Sequence, residues 1–330
     1  MRQRLTVESY TKGILSSDRI ILSRAITLIE SKLKSDRLLS GKVLENILYA
    51  TGKSLRIGVT GIPGVGKSTF IESFGKHLTS QNKKIAVLTI DPSSKRTGGS
   101  ILADKTRMES LSNDPLAYIR PSAAGLSLGG VARSTRETVL LCEAAGYEII
   151  IIETVGVGQS ETLVRGMSDF FLLLMLAGAG DELQGLKKGI MEMADVVAIN
   201  KSDGTNKLFA DAAALEYRNA LHLFPKSDSG ITTQVITCSA LEGTGISKLW
   251  EIMKDYQKQT LQNGYFTKNR QIQNREWMHE HIQQTLQDQF YENPAVKKML
   301  KSAEKSVSAG KELPIVAAER LLGIIFKTDV

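Results

Sequence analysis

The residues Gly61-Ile62-Pro63-Gly64-Val65-Gly66-Lys67-Ser68-Thr69 match the spacing G-x-x-x-x-G-K-[ST]. A loop of this kind can cradle a polyphosphate. Its glycines let the backbone come close to the anion with no Cβ in the way. Its N–H groups, and those opening the helix behind it, present positive dipole ends. Lys67 would add a point charge at the β- and γ-phosphates, and the Ser68 hydroxyl can ligate Mg²⁺. A chance match is the competing reading. The context argues against it, because a strand-like run from Leu55 to Thr60 precedes the loop and a helical pattern begins near Lys67.

A second group selects the base. Asn200-Lys201-Ser202-Asp203 follows the apolar run 195–199. The Asp203 carboxylate can accept from the two adjacent donors of guanine, the ring N–H and the amino group, a pair that adenine lacks. Lys201 can lay its stem along the base plane, and Asn200 can brace neighbouring loops. Ser239-Ala240-Leu241 follows another apolar run, 233–237, where a backbone N–H can meet the guanine oxygen. N-K-x-D alone is a common tetrapeptide. In this order behind a phosphate loop it points to GTP and GDP rather than to adenine nucleotides.

A third group concerns Mg²⁺ and water. Glu153 ends the run 148–152 and opens Glu153-Thr154-Val155-Gly156-Val157-Gly158-Gln159, where GTPases usually carry D-x-x-G. An acidic residue there holds Mg²⁺ directly or through water, and the longer Glu favours a water-mediated contact. Asp91 and Asp104 are further candidates for the ion or the attacking water, with loop and helix capping as the alternative. Gln159 could orient water or be an exposed polar residue. Lys67, Glu153 and Gln159 are the catalytic candidates, yet no residue stands out as a base. Slow hydrolysis accelerated by a partner follows from that gap.

The elements that must position these groups are legible as changes of period. Residues 1–54 read as helical: Ile20, Ile21, Ala25, Leu28 and Ile29 recur at three- and four-residue steps, and a second helix is expected from Val43 to Tyr49. Strands are expected at 55–60, 85–90, 148–153, 170–176, 195–199 and 233–237, separated by segments long enough for helices. That alternation predicts an α/β fold, a P-loop NTPase with a mostly parallel, doubly wound sheet. After Leu249 the pattern turns helical and polar, broken at Asn263-Gly264, with helices opening at Pro294 and Pro314. The expected division is a helical N-terminal extension (1–54), a P-loop domain (55–249) and a helical C-terminal arm (250–330).

Composition narrows the classes. The net charge of +7 is spread over scattered Lys and Arg, which fits a solvated surface with a phosphate site better than nucleic-acid binding. Cys142 and Cys238, the only cysteines, are too far apart in sequence to suggest a disulfide framework or a Cys-based metal site. The opening residues lack the apolar core of a signal peptide, and the longest apolar run, 170–180, is too short to span a bilayer. A cytoplasmic protein without membrane segments is the expectation.

The remaining motifs resemble one family. They are Asp91-Pro92-Ser93-Ser94, Thr97-Gly98-Gly99-Ser100-Ile101-Leu102, Asp104-Lys105-Thr106-Arg107-Met108, the run Glu153 to Glu161, and Gly178-Ala179-Gly180-Asp181-Glu182-Leu183-Gln184-Gly185. Together with the phosphate loop they look like the methylmalonyl-CoA mutase-associated GTPases, the MeaB/ArgK family, over nearly the whole chain. The resemblance implies a homodimer joined through the C-terminal arm and an adenosylcobalamin-dependent acyl-CoA mutase as partner. It implies that GTP binding and hydrolysis gate cofactor loading and protect that mutase, and that Asp181 to Lys188 couples nucleotide state to it. Two departures, Ala177 where the family usually has Pro and Thr205 where an acidic residue is common, bear on loop rigidity rather than nucleotide contact. A metal-insertion GTPase and a P-loop kinase are the competing classes. The first needs converging soft or imidazole ligands; the second needs a phosphoacceptor, and none is identifiable.

Overall fold

Short runs rich in Val, Ile and Leu form strands here because both faces of each run are covered, which suits β-branched residues on a pleated surface. The computed structural model describes residues 4–90, 108–121, 128–154, 160–178, 188–225 and 227–325. The strands are β1 (Leu55–Gly61), β2 (Ile85–Ile90), β3 (Ala117–Arg120), β4 (Ile149–Thr154), β5 (Phe170–Leu176), β6 (Val196–Asn200) and β7 (Gln234–Thr237). They form one sheet of order β3-β2-β4-β1-β5-β6-β7, parallel throughout. Six of the seven lie where the apolar runs predict them. β3 is the exception: four residues at the sheet edge, ending in a half-buried Arg120, offer no run to read.

The described helices are α1 (Val7–Leu15), α2 (Arg19–Ile29), α3 (Lys34–Ile47), α4 (Lys67–Ser80), α5 (Glu109–Ser112), α6 (Leu128–Ala144), α7 (Ser160–Arg165), α8 (Lys188–Met193), α9 (Lys207–Leu221), α10 (Ile246–Gln262), α11 (Tyr265–Glu292), α12 (Pro294–Ser308) and α13 (Pro314–Leu322). The breaks at Asn263-Gly264, Pro294 and Pro314 fall as the sequence suggests. Two details differ. Ile20 is 72% exposed, and the buried stripe of α2 is Leu22, Ala25, Ile26, Leu28 and Ile29, since Ile20 sits in the first turn at the helix mouth. The helix expected from Val43 is α3, which begins earlier, at Lys34, and ends at Ile47; its first turn, KSDR, is polar and shows no apolar period to read.

The two sheet faces feed separate cores. Ile149 and Ile151 pack with α4, α5 and α10, while Ile150 and Ile152 pack with α1, α2, α3 and α6. A third cluster under α9 takes Leu173, Met175, Val197 and Ile199. The chain divides into two compact units, Met1–Gln273 and Asn274–Val330. Helix α10 belongs to the first, since Leu249, Trp250, Met253 and Tyr256 are buried in the α4 core and Trp250 meets Phe74 edge-on at 6.1 Å. The second unit has its own small core around Ala303, Ala317 and Leu321. Among the described residues no helix is long and apolar enough to cross a membrane.

Candidate functional site

β1 is central, with β4 on one side and β5 on the other, so the chain leaves it at the point where the sheet's winding reverses. Ligands of open α/β sheets sit in the crevice at such points. The loop 61–66 starts there and runs into α4. Gly61 has φ 153°, and a Cβ on it would lie 2.4 Å from the Leu174 carbonyl oxygen of β5, so the strand-to-loop exit admits only glycine. Gly66 caps α4 with φ 91°. Ile62 and Val65 are buried and anchor the loop, while Pro63, Gly64 and Thr69 face outward.

Lys67 Nζ donates to the carbonyl oxygens of Gly61 (2.7 Å) and Ile62 (3.2 Å). Burial pushes its ammonium below the ordinary lysine value, and the charges of Glu153 and Glu161 oppose that shift. Ser68 Oγ donates to Glu153 Oε1 at 3.4 Å. Glu153 is 4% exposed at the end of β4, in register with Val59 and Thr89 of the flanking strands. Next to it, the hydroxyls of Thr60 and Thr154 are 3.0 Å apart, bonding β1 to β4 beneath the loop. A buried carboxylate beside a hydroxyl at a helix mouth is an oxygen donor set of the kind that suits Mg²⁺.

The base motif converges on the same edge. Asn200, buried at the end of β6, donates through Nδ2 to Val65 O (2.8 Å) and accepts at Oδ1 from Ala240 N–H (3.0 Å). One amide thus ties the phosphate loop to the loop after β7. Asn200 also limits Gly66, where a Cβ would come within 3.1 Å of its Nδ2. Lys201 is exposed and takes φ 58°, an unusual left-handed conformation for a lysine. Its carbonyl accepts from Asn206 Nδ2 at 2.6 Å. The Asp203 carboxylate accepts from Ser239 Oγ, and that oxygen in turn accepts from Glu242 N–H at 3.1 Å. Leu241 is 80% exposed, so its side chain anchors nothing in the loop.

Phosphate loop, Glu153, Asn200, Lys201, Asp203 and Ser239 to Leu241 therefore share one end of the sheet. Asp91, Asp104 and Gln159 lie outside the described residues, as do most of the run 178–185 and the segment 181–187. Sequence reasoning gave no role to Glu161. It is buried, and its charge is felt at Lys67; its place in the run that begins at Glu153 was the available signal. Among the described residues no group of three His, Cys, Asp or Glu could hold a metal ion. A separate cavity of about 660 Å³ opens at the other end of the sheet, between the start of β7 and the end of α9, lined by Arg218, His222, Phe224 and Thr233 among others.

The chain is similar to known proteins of one family. The family profile described as methylmalonyl Co-A mutase-associated GTPase MeaB matches residues 22–295. The chain is 43% identical to the GTPase ArgK of Escherichia coli, with 87% of each chain covered. It is 44% identical to the mitochondrial methylmalonic aciduria type A homolog of Mus musculus, over 97% of this chain and 79% of that one. Among solved structures, one described as a LAO/AO transport system kinase superposes with a TM-score of 0.76 at 34% identity, covering 98% of this chain and 99% of the other.

Proposed function

The chain belongs to the MeaB family of methylmalonyl-CoA mutase-associated GTPases, and from that premise we propose that it is a GTP-hydrolysing chaperone of an adenosylcobalamin-dependent acyl-CoA mutase. The protein is a P-loop GTPase. The finer reading is that GTP binding and hydrolysis gate cofactor loading and protect the mutase from inactivation. The observation that carries the nucleotide part is the Asn200 amide, which joins the phosphate loop and the base-side loop into one site.

In this reading the β- and γ-phosphates take the place of the Gly61 and Ile62 carbonyls as partners of Lys67. The loop amides and the α4 N-terminus add positive dipole ends. Asp203, its carboxylate steadied by Ser239, accepts from the guanine ring N–H and amino group. Lys201 lies along the base, and a backbone N–H of the Ser239-Ala240-Leu241 segment meets the guanine oxygen. Leu241 N–H is the candidate, since Ser239 N–H bonds Thr244 O and Ala240 N–H bonds Asn200 Oδ1. Ser68 and Glu153 would hold Mg²⁺, directly or through water, with Asp91 and Asp104 as further candidates. That ion would neutralise charge developing on the phosphates. Gln159 is the candidate for orienting water. No residue of the sequence stands out as a catalytic base, and slow turnover stimulated by the partner follows.

A homodimer joined through the C-terminal arm is part of the proposal. Met278, Ile282 and Leu286, at i, i+4 and i+8 on α11, are each about half exposed, and such an apolar stripe suits a helix–helix seam. GTP hydrolysis measured with and without a purified adenosylcobalamin-dependent mutase, with ATP as control, tests the reading. Strong stimulation specific to GTP is expected. Turnover indifferent to the mutase would keep the GTPase and remove this mutase as its partner.

A further inference from the structure

Helix α7 packs on β1 and β4, and the residue at its end bonds the start of α11. Its first turn carries the buried Glu161, whose charge is felt at Lys67. Its body lies hard against β1: a Cβ on Gly58 would stand 2.7 Å from Val164 Cγ1 and 2.9 Å from Ser168 Oγ. Gly58 is three residues before Gly61, so the strand that α7 packs on is the one that delivers the phosphate loop.

The other end of α7 is Arg165. Its Nη1 pairs with Asp195 Oδ2 at 3.0 Å, and its Nη2 donates to the Tyr265 hydroxyl at 3.3 Å. The Asp195 side chain is 2% exposed and also accepts from Phe171 N–H (2.8 Å) and the Tyr256 hydroxyl (2.9 Å). Gln273 Nε2 donates to Ser168 O at 2.8 Å, in the turn just after α7. One residue further, Asp169 takes both a Nε and a Nη2 bond from Arg270, each at 2.7 Å. Tyr265, Arg270 and Gln273 all lie on the first part of α11, the helix that continues into the second unit. The start of α11 thus grips α7 and its following turn at three places.

Fold stability alone does not call for such polar grips. A buried ion pair stabilises little compared with apolar packing of the same volume. We propose that Arg165, steadied by Tyr265, is a positioning residue for GTP hydrolysis: it sets α7, and through it Glu161 and β1, against the phosphate loop, so that the start of α11 tunes turnover. This rests on the reading of Lys67 as the phosphate-binding lysine. It goes beyond that reading by naming the route between the nucleotide site and the C-terminal helices.

The test is steady-state GTP hydrolysis by the full chain, with KM for GTP and melting temperature read alongside. Tyr265→Phe removes one hydroxyl and keeps the ring. It should lower kcat about threefold to tenfold, the scale of one hydrogen bond, with KM unchanged. Arg165→Lys keeps the charge on Asp195 but cannot hold both partners, so it should match Tyr265→Phe. The double variant should be no slower than either single one, because both cut the same link. Arg120→Lys, in an ion pair with Glu30 far from α7 in the fold, is the control and should leave kcat unchanged. A melting shift with unaltered kcat in Tyr265→Phe would overturn the proposal. So would additive effects in the double variant, or an equal loss of kcat in the control. Absence of GTP turnover in the unmodified protein would instead overturn the proposed function itself, which separates the two failures.

Discussion

Asp203 and Lys67 carry the most direct chemistry, and their predictions belong to single side chains. Asp203→Asn replaces an acceptor pair with an amide, which suits the altered edge of xanthine. GTP affinity should fall about 10- to 100-fold, the scale of an unmade charged hydrogen bond, while xanthosine triphosphate affinity rises. Competition binding with both nucleotides checks this, and unchanged GTP preference would remove Asp203 from the base site. Lys67→Ala should lose most triphosphate affinity while the melting temperature stays close to that of the unaltered chain, because among the described residues Lys67 donates to the Gly61 and Ile62 carbonyls alone. Asn200→Ala should do both kinds of damage. It leaves Val65 O and Ala240 N–H without their buried partner, at about 1–3 kcal/mol. A lower melting temperature together with weaker GTP binding is expected, and a loss of only one of the two would show that the loops are not coupled through this amide.

Among the elements, the junction of β1, α6 and α11 is held by a cluster of charged hydrogen bonds. Glu143 at the end of α6 accepts from Ser54 Oγ, from Gly52 N–H (2.8 Å) and from Arg56 at 2.9 and 3.0 Å. Arg270 of α11 adds bonds to Gly52 O, Ser54 O and Asp169. Burial raises the Glu143 pKa, but Arg56, Ser54 and the Gly52 amide outweigh it and hold the carboxyl below its ordinary 4.5. A carboxyl lowered by folding stabilises the native state above its unfolded value, and that contribution is lost as pH falls through the folded value. Stability should therefore drop on acidification below 4.5, and the drop should be shallower in Glu143→Gln. Denaturant unfolding across pH 3 to 7, read against roughly 3–5 kcal/mol for breaking a buried pair, decides whether this cluster matters.

At the scale of the molecule, the second unit has a small core and leaves Leu313 and Ile315 largely uncovered and Met278, Ile282 and Leu286 about half exposed. Light scattering should give a mass twice the 36.1 kDa of the chain. Ile282→Asp should return it to the monomer with intrinsic GTP hydrolysis retained, since that position is remote in sequence from every phosphate and base contact. A monomeric unaltered chain would remove the arm from the dimer proposal.

The phosphate loop, the N-K-x-D segment and six strands are legible in the amino-acid order because their physics is local. A glycine-rich loop needs only its own residues and the strand before it, and a strand buried on both faces announces itself as an apolar run. Pro294 and Pro314 open helices for the same local reason. β3 was hidden, because an edge strand of four residues owes its pairing to Ile85 through Leu88 of β2 rather than to its own composition. So was the grip of Asn200 on Val65, which joins residues 135 positions apart, and that of Arg165 on Asp195 and Tyr265. Gly58 lies inside the expected strand 55–60, and the approach of Val164, Phe171 and Ser168 on folding shows why nothing larger fits there. Local order thus fixes which groups can do chemistry, while the burial of distant polar partners against one another, decided only on folding, fixes how they are held together.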